Sequence, residues 1–245
     1  MRLAAAWAGA MLLVTTIVLR TSEGGDMVMW RRVMVESSWL SKRIVLSRMN
    51  LSLTLCGSTC MRTDRCQLWC LDQPPQCLLS PIIVSGSYRP SQSGGALLCY
   101  TSRRLNFAVH ASITSTGNVD RERVADNLLD GVYNGLQSQS AFAKVEGEKC
   151  WFLVDLSVER VISEVVLIAP HRNSSRISRF RNIIVKVGDV AGNFSSYIHL
   201  GSFRGPGYPH QEVVLRPSSP LTGRYVLILK TSLNNDLQIA HLEIR

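Results

Sequence analysis

Trp151-Phe152-Leu153-Val154-Asp155-Leu156 is a six-residue run of strand-forming side chains interrupted by a single aspartate. It is too short for an ordinary helix, and its aromatic and β-branched content suits a pleated surface. Runs of the same kind recur at 161–169, 183–187, 212–215, 225–230 and 237–244. Two of them alternate. Ile183, Val185 and Val187 fall on one face, with Ile184 and Lys186 on the other, and Tyr225, Leu227 and Leu229 share a face in the same way. Residues 104–245 carry no long apolar pattern of period 3.6. Many short strands separated by loops predict a mainly β chain whose C-terminal part is an antiparallel sandwich.

Upstream the character changes. Of seven cysteines, six lie between Cys56 and Cys99, and Cys150 stands alone at the entrance to the 151–156 run. Residues 25–103 therefore read as a small disulfide-rich α+β module. Ser52 is placed to cap a short helix through Met61, which sets Cys56 and Cys60 one turn apart on one face. Gln73-Pro74-Pro75-Gln76 marks a turn, and 85–95 is loop-rich. Zinc is the competing use of cysteines spaced i, i+4, but zinc sites favour two-residue gaps and no histidine lies among these six. Cys150 is either a partly buried thiol or the bridge of a homo-oligomer.

Residues 1–24 read as a signal peptide: Arg2, an uncharged apolar run over 3–19, then small residues before a cut near Gly24–Gly25. The alternative is a signal-anchor, since about 17 apolar residues is the lower limit for a bilayer core of ~30 Å. Export agrees with the cysteine density and with sequons at Asn50, Asn173 and Asn193. The formal charge of +9 favours anionic glycans, acidic membranes or nucleic acid. A secreted, extracellular location removes nucleic acid from that set.

The pattern Leu55-Cys56-x3-Cys60-x5-Cys66, with Cys77 after the Pro-Pro turn and the basic extended residues Arg31 and Arg32 before it, resembles a PAN/apple module. The resemblance implies the pairs Cys56–Cys77 and Cys60–Cys66, leaving Cys70 for Cys99.

Over 104–245 the chain resembles the discoidin-type jelly rolls, and within them the F-type lectins (fucolectins). Asn106-Phe107-Ala108 resembles the family's first strand. Asp126-Asn127-Leu128-Leu129-Asp130-Gly131 resembles its Asn-Ala-x-Asp-Gly turn, and 151–156 its Trp-Trp-x-Val-Asp-Leu strand, with Gly223-Arg224-Tyr225-Val226 and the last strand following in order. The resemblance implies a discoidin-like jelly-roll β-sandwich. It also implies a sugar site built from one histidine and two arginines, whose positions fall on Arg172 and Arg179. Guanidinium groups present fixed forks of donors, which suit vicinal hydroxyls.

The chain departs from that pattern in several places. The family's Asp-Cys-Cys reads Ser174-Ser175-Arg176, and its histidine is missing; Lys144 and His171 are the nearest substitutes. A glycan on Asn173 would crowd the loop. The competing readings are a solvated basic loop and an anion-binding patch made by Arg172, Arg176, Arg179 and Arg181. The family also binds calcium, and here Asn127 and Asp130 match two of its ligands. The third position is Val132, and the family's Cys-Glu reads Ala240-His241. Calcium wants about six to eight oxygens.

No nucleophile elbow, P-loop, dinucleotide fingerprint or paired-histidine zinc motif occurs, so no enzymatic activity is expected. The expected function is carbohydrate binding as a secreted lectin, with fucose or a related glycan as ligand, in innate immunity or cell adhesion. The alternative is an adhesion module that binds anionic phospholipid, a glycosaminoglycan or protein through the same loop face; a purely structural module is the third reading.

Overall fold

The computed structural model describes residues 16–19, 28–40, 46–72, 76–90, 95–119, 124–135, 140–144, 149–170, 179–232 and 236–245. The candidate cleavage site, the Pro74-Pro75 turn, His171, Arg172, Asn173 and Arg176 lie outside them. The chain is mainly β with one α-helix among the described residues, and none of its described helices is long and apolar enough to cross a membrane.

The cysteine-rich half is a six-stranded antiparallel sheet in the order Thr16–Leu19, Val28–Glu36, Ala96–Thr101, Leu68–Asp72, Gln76–Ser80, Ser47–Asn50. Thr16–Leu19, inside the segment read as a signal, pairs with Val28–Arg31 as an edge strand. Strand alternation sends Leu68, Cys70, Leu78 and Cys99 to one face and Trp69, Cys77, Leu79 and Tyr100 to the other. Against the second face lies the helix Leu53–Arg62, whose buried residues are Cys56, Gly57 and Cys60. Its N-cap is Ser52, which makes no side-chain capping bond. Three disulfides fasten this layer: Cys56–Cys77, Cys60–Cys66 and Cys70–Cys99, the pairs that the apple-like spacing implies. Each of the three restricts the unfolded chain, typically by ~2–4 kcal/mol. Trp69 stacks on Tyr100 at 4.1 Å between ring centroids.

The C-terminal part is a sandwich. One layer has the order Ile198–Phe203, Ile183–Gly188, Leu221–Lys230, Trp151–Ile162, Ser112–Ser115. The opposing layer consists of Glu212–Leu215, Val165–Ile168, His241–Ile244 and of Leu237–Ile239, Ala141–Lys144, Asn118–Val119. Phe152, Val154, Val185, Val226 and Ile228 point inward from the first layer, meeting Val165, Leu167, Leu242 and Ile239. Tyr225, Leu227 and Leu229 face the other way and pack with Trp151, Leu153 and Tyr197.

Two local expectations are corrected. Residues 106–108 are not a strand: Phe107–His110 is a 3-10 helix, and Asn106 caps it by accepting from the Ala108 N–H. The buried Asn106 side chain also accepts from Ile244 N and donates to Leu242 O, so it ties the start of the sandwich to its last strand. The single run 161–169 divides, because the 151–162 strand extends through a bulge after Asp155.

The two halves are joined by more than the connecting chain. Ile83–Val84 pairs with Val132–Tyr133, and Val132 packs into the core of the cysteine-rich half. Arg103, on the connection, forks onto Glu212 with bonds of 2.9 and 2.8 Å and lies 3.8 Å from the buried Glu243. Arg245 reaches both Glu243 and Glu164. Burial pushes the Glu243 carboxyl up, but His241, Arg103 and Arg245 outweigh it and hold the group at about 2.

Candidate ligand-binding site

Arg179 is the first described residue after Pro170, at one end of the sandwich. Its neighbour Phe180 is fully buried and packs on Phe203 at 5.2 Å. Arg179 and Arg181 flank this buried ring. The Arg179 Nε lies 3.0 Å from Asp236 Oδ2, and its guanidinium sits over the Phe142 ring at 4.8 Å. Phe142 comes from Ala141–Lys144, whose alanines face the core. Lys144 is exposed and shares the outward face with Phe142 by strand alternation. The structure thus brings Arg179 and the strand carrying Lys144 to the same end of the fold.

Beneath Arg179 lies Lys230, the last residue of its strand and fully buried. Its Nζ donates to the carbonyls of Arg179 and Asp236 at 2.6 and 2.8 Å. One ammonium therefore binds the backbones of the same two residues whose side chains pair above it. Burial, reinforced by Arg181, lowers the ammonium to about 8. Lys230, Asp236 and Phe142 are neighbours of Arg179 that sequence reasoning passes over. The available signal is weak: a lysine ends an otherwise apolar alternating run, where such a residue usually reaches solvent.

Cys150 is fully buried in the sandwich core, and its backbone carbonyl accepts from Lys230 N. This burial suits the buried-thiol reading; an interchain bridge would need the fold to open around Cys150. Among the sequons, Asn193 is exposed in a turn and Asn50 ends a strand with its side chain also exposed.

The calcium expectation also meets a physical obstacle. Asp130 Oδ1 accepts from Val132 N at 2.9 Å, and the Asn127 amide donates toward Ser140 O. Burial raises the Asp130 carboxyl to about 6. No group of three or more His, Cys, Asp or Glu that would hold a metal occurs among the described residues. Asn127 and Asp130 hold a turn in this structure.

Comparison with solved structures places the sandwich. A fucolectin from striped bass (Morone saxatilis) serum superposes with a TM-score of 0.51 at 18% identity, over 57% of this chain and 47% of that one. The sandwich has the F-type lectin fold. The aligned part spans just under half the length of the bass lectin. A Streptococcus pneumoniae fucose-binding module aligns over 57% of this chain and 94% of its own, at 21% identity and a TM-score of 0.46. The lectin domain of lectinolysin, solved with Lewis b antigen, gives 19% identity and 0.47 over 57% and 95%. No protein-family model matches the chain, and no curated protein matches it in sequence.

Proposed function

We propose that the protein is an extracellular, non-catalytic carbohydrate-binding module, and that a sugar of the fucose type is held at the Arg179 end of the sandwich. The observation that carries this reading is the arrangement of Arg179, Asp236, Phe142 and Lys230. A guanidinium held at Nε by a carboxylate and laid on an aromatic ring has its plane set in advance, so little side-chain freedom is lost on binding. Its fork donates to neighbouring hydroxyls, and the Asp236 carboxylate accepts from them. Arg172, His171 and Lys144 complete the proposed set. Two supports lie outside the site: neighbours of the same fold are fucose-binding and lectin modules, and three disulfides suit an extracellular chain. The Arg179–Asp236 ion pair favours a neutral ligand over an anionic one, because part of the positive charge is already compensated.

A glycan array probed with the full chain, followed by titration calorimetry on fucose and the best glycan, tests this. Arg179→Ala should weaken binding about ten- to a hundredfold, since hydrogen bonds to charged groups are worth roughly 1.5–3 kcal/mol. Arg224→Ala is the control, near the opposite end of the strand that ends in Lys230. Equal losses at both arginines that fade with salt would instead mark a diffuse attraction to anionic lipid or glycosaminoglycan. An array with no bound glycan would end the reading.

A further inference from the structure

The seam between the two halves encloses a cavity of about 580 Å3, within the ~300–1,000 Å3 range of small-molecule sites. Its polar lining is drawn from both halves and from the connection: Gln67, Arg103, Asn134, His210 and Glu212, with Tyr208 at the rim. Ile83 and Tyr133 form the floor, paired as antiparallel partners and packed on Ile168 and Ala240.

The rim is built to hold its shape. Gly207 N donates to Phe180 O at 3.0 Å, Tyr208 N to Gln211 Oε1 at 3.1 Å, and Gln211 N to Tyr208 O at 3.0 Å. His210 adopts a left-handed backbone with φ 60°, and its Nδ1 meets the Tyr133 hydroxyl at 2.5 Å. A non-glycine residue in that conformation is held there by its surroundings. The result is a tyrosine whose backbone is held and whose ring is 63% exposed, beside amide, carboxylate and guanidinium groups.

The charges say which ligand fits. Arg103 is already forked onto Glu212, and Arg65, at the other wall, lies 3.5 Å from Asp64. An anion entering here would meet compensated cations. A neutral polyhydroxylated ring suits the site better: its apolar C–H face matches Tyr208, and its hydroxyls match the directional groups of Gln67 and Asn134.

Position links this cavity to the candidate mouth. The rim loop bonds to Phe180, the neighbour of Arg179, and Ala169 N bonds to Gln211 O. The cavity rim therefore touches the chain one residue from Arg179. We infer that the seam is a second saccharide subsite, so that the protein takes an extended glycan with one unit at Arg179 and a further unit against Tyr208. The inference rests on the carbohydrate reading above and assigns the cysteine-rich half a direct part in recognition through Gln67.

Calorimetry on the full chain with free fucose and with fucose-terminated di- to tetrasaccharides tests it. The longer glycans should bind about tenfold tighter than the monosaccharide. Tyr208→Ala and Gln67→Ala should each erase that gain and leave fucose binding unchanged, whereas Arg179→Ala should lower both. The fold bond of Gln67 comes from its backbone, donated to Ser80 O, so neither truncation removes core packing, and unchanged melting temperatures check this. Normal fucose binding with no gain for longer glycans, or a gain that survives both truncations, overturns the subsite and spares the carbohydrate reading. Binding of heparin that needs Tyr208 and fades with salt overturns it in favour of an anion site. Absence of binding at every glycan length overturns both.

Discussion

Asp130 shows how a single side chain can keep a family position while changing its work. Its carboxyl accepts from the Val132 N–H in a turn, and burial raises it from 3.8 to about 6. A folded-state value above the unfolded one means that the group binds its proton more tightly in the native protein. The stability this lends is complete below about pH 4 and is lost as pH rises through 6. Asp130→Asn keeps the acceptor and removes the charge. The variant should be more stable than the parent at pH 7.5, by about 1–3 kcal/mol, and should lose that advantage at pH 4. Urea unfolding at the two pH values measures this. Added calcium or a chelator should leave the parent's midpoint unchanged; a rise with calcium would restore the metal reading.

Among elements, the strand Leu221–Lys230 does the most to shape the candidate site. It runs through the middle of the five-stranded layer, and it ends where its last side chain can bind two loops at once. Lys230→Met keeps much of the buried volume and deletes that link. Sugar affinity should fall about fivefold to tenfold, the size of one or two lost hydrogen bonds, although residue 230 touches no ligand. Lys230 itself carries a folded-state value near 8, below the 10.5 of a free lysine, so the folded state disfavours the charged form. The stability of the parent relative to Lys230→Met should therefore rise as pH increases from about 8 to 10.5. Paired denaturation curves across that window check the sign, and a gap that stays constant would remove the buried ammonium from the account.

For the molecule as a whole, the seam decides whether two modules behave as one. Val132 from the sandwich sits in the other half's core, and Arg103 compensates Glu243, a carboxylate with no solvent exposure. Removing one partner of a buried charge pair typically costs ~3–5 kcal/mol. Arg103→Leu should destabilise by less, about 1–3 kcal/mol at pH 7, because Arg245 still reaches Glu243. It should also lose its effect as Glu243 takes up a proton, which the surrounding cations delay to about pH 2. Calorimetry should show one transition for the parent chain. Two separate transitions in the parent would mean that the seam contacts contribute little.

Much of this architecture is legible in the amino-acid order alone. The alternation at Ile183, Val185 and Val187, and the run opening at Trp151, state their periods locally, because in a strand the side-chain face depends only on parity. The spacing of Cys56 and Cys60 sets both on one helix face for the same reason of local geometry, while their ties to the following hairpin are what the resemblance to an apple-like module implies. Other features depend on residues far apart in the chain. Asn106 looks like part of a strand until Ile244 and Leu242 arrive beside it. The resemblance marks Asn127 and Asp130 as metal ligands, and only the structure shows the Asp130 carboxylate buried and accepting from the Val132 N–H. Phe142, Lys230 and Asp236 are unremarkable at their own positions and become a support for Arg179 only when three loops and strand ends meet. Burial, charge compensation and hydrogen-bond partnership are properties of neighbours in space, and only the tertiary structure chooses those neighbours.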